Sequence, residues 1–245
     1  EKFAAPLLVL AGLATVADIV PLRDQNRILV ANAIRVFASA PPGLRALYER
    51  AAKRIAEVTS RDFGFLLAPR INAAGRMSSA REAYELLMVA EQEQARQLAQ
   101  IVDLHNTERK MVERRMVEEA LAQIVEPMSA GIVVSGAGWH AGVSGIVAAR
   151  LLERTGVPTA VVVDGRGSAR APEGYNIHDI LSACADALDR FGGHAAAGGF
   201  SVREGSLEKF TQLFVEACAR QAASNGCQLG EQLHREPDLW WNRRN

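Results

Sequence analysis

The chain has 245 residues, enough for one large domain or two smaller ones. With 49% hydrophobic and 23% charged residues it has an ordinary globular composition, which argues against disorder. Lys and Arg number 28 and Asp and Glu number 28, so there is no overall basic excess and any contact with phosphate must come from local clusters.

The chain opens with a nearly all-apolar stretch, Phe3 to Val16, behind Lys2. It is too short for a membrane helix of about 20 residues, so no membrane partner is expected. A start at Glu1 rather than Met leads us to expect an internal segment of a longer protein. Ala4 to Val16 is predicted as a buried helix, and Pro21 ends regular structure after it. Asp24 is expected to cap a second helix reaching about Phe37. Pro41-Pro42-Gly43 breaks the chain before a short helix to about Lys53. A short helix is then expected after Thr59, followed by a loop-like stretch, Ala68 to Met77, punctuated by Pro69 and Gly75.

Ser79 to Ala90 and Glu91 to Ile124 read as helices, the second with Leu98, Ile101, Val102, Val112, Met116, Ala120 and Ile124 at helical spacing. Its polar middle, His105 to Lys110, suits a strut between domains, and Pro127 ends it. The pattern then changes to strand, helix, strand: Ala130 to Ser135, Val143 to Arg154, Pro158 to Val163, a unit expected to be parallel. Gly167 to Ala171 and Gly199 to Val202 are further expected strands, and Asn176 to Arg190 and Leu207 to Ala222 further helices. The polar tail from Ser224, with Trp240, Trp241, Arg243 and Arg244, shows no packing logic. Cys184, Cys218 and Cys227 form no C-x-x-C, so neither a disulfide framework nor a zinc ribbon is indicated, and a reducing, cytoplasmic setting is expected.

Five places carry residues suited to chemistry. Asp18, an acid among apolar neighbours, needs a compensating partner: a metal ion, an arginine or a helix cap. Arg61, Arg70, Arg76 and Arg81 against Asp62 make a local basic cluster. Within it, Arg70, Asn72 and Arg76 sit among small residues; their guanidinium forks either grip phosphate, or cap helix carbonyls or pair with Glu82 or Glu85. Gly136 to Gly142 lies between a strand and a helix like a dinucleotide-binding turn, but its G-x-G-x-x-x-G spacing is one residue too long, and His140 reads either as a structural or a catalytic residue. Ser168 and Arg170 point to one face if on a strand and would make a phosphate clamp, or simply an exposed strand face. Gly192-Gly193-His194 offers bare backbone donors beside an imidazole, or a tight turn into a small-residue helix.

Taken in order, A-T-V-A-D-I-V-P-L, P-R-I-N-A-A-G-R-M, W-H-A-G-V-S-G-I-V-A-A-R-L, G-S-A-R and F-G-G-H-A-A-A-G resemble the RecJ-type nucleases of the DHH phosphoesterase superfamily, over about residues 7 to 220. The resemblance implies an α/β fold class: residues 1–90 as the C-terminal part of a DHH catalytic domain, 91–128 as a long connecting helix, 129–223 as a small DHH-associated α/β domain, and 224–245 as an irregular tail. It implies a cytoplasmic single-strand-specific 5′→3′ DNA exonuclease of repair and recombination. Such an enzyme hydrolyses phosphodiesters with two divalent ions, Mn²⁺ or Mg²⁺, on single-stranded DNA held in a cleft between domains. It further implies Asp18 as a metal ligand and, with His194, a catalytic residue. Arg70, Asn72 and Arg76 match a strand-contacting loop, Ser168 and Arg170 the surroundings of a 5′-phosphate, and Gly192 and Gly193 the phosphate-facing loop of His194; His140 has no fixed role.

Two departures stand out. No D-x-D-G segment or Asp-His-His tripeptide is present, so the chain by itself is expected to be inactive. The G-S-G-R-S-type string reads G-S-A-R-A, and the missing hydroxyl at Ala171 is expected to alter the terminal-phosphate site. A DHH phosphoesterase acting on short oligonucleotides, a non-catalytic nucleic-acid-binding scaffold of the same fold, and a nucleotide-binding protein using Gly136 to Gly142 are the alternatives.

Overall fold

The computed structural model describes residues 4–51, 54–125 and 129–224. The expectations for Lys2, Phe3, Lys53, Pro127, Cys227 and the Trp/Arg tail lie outside the described residues. The chain divides into two compact units, Glu1–Met111 and Val112–Asn245.

The first unit is helical. Its elements are α1 (Ala4–Ala17), α2 (Asp24–Arg35), α3 (Pro42–Arg50), a single turn α4 (Ser60–Asp62), α5 (Ala68–Met77), α6 (Ala80–Met88) and the first part of α7 (Gln92–Leu121). Leu13, Phe37, Leu44, Leu47, Tyr48, Phe63, Leu67 and Leu86 form its core, joined by Ala95, Ala99 and Val102 of α7. Phe37 meets Tyr48 edge-on at 5.2 Å and Phe63 at 5.7 Å between ring centroids. Close approach needs glycine at two crossings: a Cβ on Gly12 would come within 2.3 Å of Ala33 Cβ, and one on Gly43 within 1.8 Å of the Leu86 carbonyl oxygen.

Several sequence expectations change here. The first helix is not a buried one: it is apolar all round, yet only Val9, Gly12 and Leu13 are covered, and Leu7 is 63% exposed. Asp24 does not cap α2; it is the first helical residue, and Arg23 in the capping position makes no side-chain bond. P-R-I-N-A-A-G-R-M is not a loop but the helix α5. Pro69 falls in the first turn of α5, where a missing amide is tolerated, and Phe63–Leu67 before it widens into a π-turn. The small residues read as loop punctuation instead form a helix face, with Ala68, Ala73 and Ala74 buried.

The second unit holds a five-stranded sheet: β1 (Ile132–Ser135), β2 (Thr159–Val163), β3 (Arg166–Arg170), β4 (Leu188–His194) and β5 (Ala197–Val202), in the order β1-β2-β3-β5-β4. β1 and β2 are parallel, as the strand–helix–strand reading expects; the other pairs are antiparallel. One face carries Ala160, Val162, Ala169, Phe200 and Val202 against α9 (Ile177–Ala183) and α10 (Leu207–Ser224). On the other, α8 (Ser144–Thr155) packs on β2 and β3. The last part of α7 buries Met116, Val117 and Ala120. It is tied to the α/β unit by Glu113 to Arg150 at 3.2 Å and by the Trp139 indole N–H donating to Glu119 at 2.5 Å.

The largest misreading is at 176–194. The expected helix to Arg190 stops at Ala183, and the chain returns through a short 3-10 turn as β4. Phe191 to His194 is therefore edge-strand backbone, neither a loop nor a turn into a helix. Two adjacent glycines hide a strand, because glycine is depleted from strands and carries no alternation to read.

Candidate nucleic-acid interface

Directly paired residues of neighbouring strands share one face of a sheet. Ser168 pairs Gly199, and Gly199 pairs Gly192; Arg170 pairs Ala197, and Ala197 pairs His194. The pairing thus lines up Ser168, Arg170, Gly192 and His194 in two adjacent rows on the face that carries α8. Gly192, His194 and Gly199 are exposed, and a Cβ on Gly192 would meet nothing within 4 Å. The result is an open shelf floored by glycine, with a hydroxyl and a guanidinium at one side and an imidazole at the other. That arrangement offers charge-assisted and neutral donors to an anion without side chains in its way.

Gly193 does not belong to that face. It pairs Gly198, whose own Cβ would lie 2.7 Å from Ile177 and Leu181 side-chain carbons on the opposite side. Gly193 adopts φ 149°, and a Cβ there would come within 2.3 Å of the Ala197 carbonyl oxygen, so glycine at this site serves the β4–β5 pairing.

The start of α8 completes the corner. Ser144, 6% exposed, donates its hydroxyl to the Ala141 carbonyl at 2.8 Å and lies 3.1 Å from the Ser168 hydroxyl oxygen. With its one proton so used, Ser144 accepts from Ser168. Gly145 lets the helix end approach: a Cβ there would sit 3.0 Å from the Arg170 guanidinium and 3.5 Å from the Ser168 oxygen. The dipole of α8 favours negative charge near its N-terminal end. Sequence reading missed Ser144, since nothing in its string marks a hydroxyl that meets another 24 residues on. Ala171 lies the other way, buried with the α9 and α10 core, and its amide donates to the Ala196 carbonyl at 3.1 Å. The hydroxyl that residue 171 lacks would not face Ser168, so the expected alteration of the phosphate site through Ala171 is corrected.

Both singled-out histidines accept at Nδ1. His194 takes the Ala196 amide at 3.3 Å and His140 the Gly142 amide at 3.1 Å. A neutral ring that accepts at Nδ1 carries its proton on Nε2, which leaves exposed His194 a donor. His140 is half-buried and closes the turn that starts α8. The glycine turn around it is no nucleotide cradle: the Trp139 ring occupies the space a Cβ on Gly136 would fill.

In the first unit Asp18 and Asn72 border one open cavity of about 770 Å³, with Leu10, Leu13, Ile71 and Leu87 among its other walls. Asp18 is exposed, not an acid in an apolar interior, so burial demands no partner for it and its metal-ligand reading rests on the resemblance alone. On α5, Asn72 and Arg76 are four residues apart and share an exposed face. Arg70, some 200° around the helix from Asn72, faces elsewhere. It donates to Asp103 at 3.0 Å and to the Leu66 carbonyl at 2.9 Å, and Arg50 shares Asp103 at 3.1 Å. The alternative of a structural ion pair therefore describes Arg70, though with Asp103 and not Glu82 or Glu85. Arg81 does pair Glu85, at 2.7 Å. Among the described residues no group of three or more His, Cys, Asp or Glu could hold a metal ion. They do not by themselves furnish a two-metal site.

Residues 128–220 match the DHHA1 domain family. The chain is 39% identical over 207 residues to the single-stranded-DNA-specific exonuclease RecJ of Bacillus subtilis, covering 80% of this chain and 26% of that protein. It superposes on crystal structures of RecJ from Thermus thermophilus in complex with Mg²⁺ and with Mn²⁺, each with a TM-score of 0.83 and 32% identity over 89% of this chain. These alignments span 35% and 33% of the two crystallised chains. The chain thus spans about a quarter to a third of the length of these relatives.

Proposed function

We propose, on the premise that the chain is a RecJ-type segment carrying a DHHA1 domain, that it supplies the strand-holding part of a single-strand-specific 5′→3′ DNA exonuclease. The observation that carries this reading is the sheet face, open at β4 and β5, on which Ser168, Arg170, Gly192 and His194 are aligned by strand pairing. Arg170 and the Ser168 hydroxyl hold a phosphate of the strand, the 5′-terminal one by the family resemblance. The glycine row admits the sugar–phosphate chain against the backbone, and His194 donates from Nε2 to a further phosphate oxygen.

Asp18 remains a metal-ligand proposal and Asn72 and Arg76 strand contacts; Arg70 orients the helix that carries them. Divalent ions, Mg²⁺ or Mn²⁺ as in the crystallised RecJ proteins, supply Lewis acidity and an activated water when bound. Two ions, hydrolysis in DNA repair and recombination, and a cytoplasmic setting belong to the same proposal. Residues 1–90, 91–128 and 129–223 are assigned as DHH catalytic part, connecting helix and DHH-associated domain.

The test is binding. Fluorescence anisotropy with a single-stranded oligonucleotide carrying a 5′-phosphate is expected to show binding by this chain. Arg170→Ala should weaken it about tenfold or more, the loss of a charged hydrogen bond of about 1.5–3 kcal/mol. Equal affinity of Arg170→Ala and the unaltered chain defeats the assignment.

A further inference from the structure

The sheet face just described has a third row that neither the sequence motifs nor the family resemblance singles out. Arg166 pairs Ser201, and Ser201 pairs Arg190. By strand alternation this row shares the face of Ser168 and Arg170, one repeat of about 7 Å farther along the strands. Its two arginines are both exposed and stand two strands apart, about 10 Å between backbones. Arg190 donates to the Ser201 hydroxyl at 3.3 Å. The Arg166 side chain makes no hydrogen bond or ion pair with any described residue.

The acids at this end of the sheet do not neutralise them. Asp164 and Asp189 line a cavity together with Val162 and Val202, whose side chains belong to the opposite face, and the Asp189 carboxylate is 3.8 Å from Arg203. Two guanidinium groups on a bare sheet face, with a hydroxyl between them and no carboxylate in their row, repel one another until an anion joins them. Between this row and the Arg170–His194 row lies the Ser168–Gly199–Gly192 row, two-thirds of it glycine, so no large side chain walls off the path from one to the other.

We propose that Arg166, Ser201 and Arg190 form a second phosphate contact, which holds an internal phosphate of the same single strand whose end Ser168 and Arg170 hold. This rests on the strand-holding function proposed above and deepens it: the substrate's backbone crosses the glycine row and runs on toward the Asp164–Gly165 turn. A strand too short to reach from one row to the other gains nothing from the arginine pair.

That length dependence is the experiment. The chain, Arg166→Gln/Arg190→Gln, Ser168→Ala/Arg170→Ala, and a control on α10 at the opposite face, Lys209→Gln, are titrated with 5′-phosphorylated single strands from two to twelve nucleotides, with melting curves to verify folding. The Arg166/Arg190 variant should match the unaltered chain on dinucleotides and bind dodecamers about tenfold more weakly. Its salt slope should fall by about 0.7, for one lost single-strand phosphate contact. The Ser168/Arg170 variant should weaken binding at every length. Loss in Ser168/Arg170 with no length-dependent loss in Arg166/Arg190 overturns this inference and leaves the functional reading standing. Absence of strand binding by the unaltered chain overturns both.

Discussion

Single atoms decide much of what this face can do. Gly192 and Gly198 differ by where a methyl group would go: into open space at Gly192, and to within 2.7 Å of Ile177 and Leu181 at Gly198. Gly192→Ala should therefore leave thermal stability essentially unchanged while weakening strand binding about tenfold, because the methyl group occupies the shelf, at a cost on the order of 1.4 kcal/mol. Gly198→Ala should destabilise the fold by about 2 kcal/mol through overpacking. Unfolding curves and anisotropy on the two variants separate a ligand-facing glycine from a core-facing one, and a Gly192→Ala chain with unaltered binding would mean the shelf is not used. Not every suggestive side chain is functional. Burial pushes the Cys184 and Cys218 thiols up to about 12, so at neutral pH they are protonated core groups. Ser168, Arg170 and His194 were legible in the sequence because hydroxyl, guanidinium and imidazole name their own chemistry. Ser144, Arg166 and Arg190 were not, since only the pairing of strands shows that they join the same corner or face.

At the scale of elements, periodicity was a good guide where helices have one covered side and a poor one elsewhere. The long helix α7 was read from its spacing nearly to its ends, 30 residues from Gln92 to Leu121. The helix α5 was lost because Pro69 and Gly75 look like punctuation, although proline in a first turn and glycine on an exposed side both fit a helix. β4 was lost to its glycines, and the Asp164–Gly165 dipeptide, a hairpin signal between apolar β2 and polar β3, went unread. Contacts between helices are equally invisible in sequence. The α3–α6 crossing at Gly43 leaves no room for a side chain against the Leu86 backbone. Gly43→Ala is expected to cost about 3 kcal/mol or more in chemical unfolding. Gly75→Ala, whose methyl meets Ala80 at an ordinary 3.4 Å, should be neutral or stabilising by up to about 1 kcal/mol. Similar losses at both sites would contradict the packing described.

On the scale of the whole chain, the sequence motifs distribute their residues over two units with separate cores, Glu1–Met111 and Val112–Asn245. Order along the chain sufficed to recognise the family. It did not reveal which motif residues pair with protein and which are left for a ligand, a distinction visible only in Arg70 beside Asp103 and the Arg166 side chain beside no described partner. Phosphodiester hydrolysis by two metals needs a dense set of oxygen and nitrogen ligands, and no such set is grouped among the described residues. Incubated with Mn²⁺ and a labelled single strand, this chain should bind but release no mononucleotide; product release above background would refute that division of labour.

The two-residue turn between β2 and β3, with Asp164 at φ 47° and Gly165 at φ 75°, fixes which side of the third strand looks outward. Side chains alternate with a period of two, so the register that starts at this turn keeps Arg166, Ser168 and Arg170 on one side of the strand and Gly167 and Ala169 on the other. Both turn residues hold left-handed backbone, so a β-branched residue in place of Gly165 would strain the bend from which those three side chains take their direction.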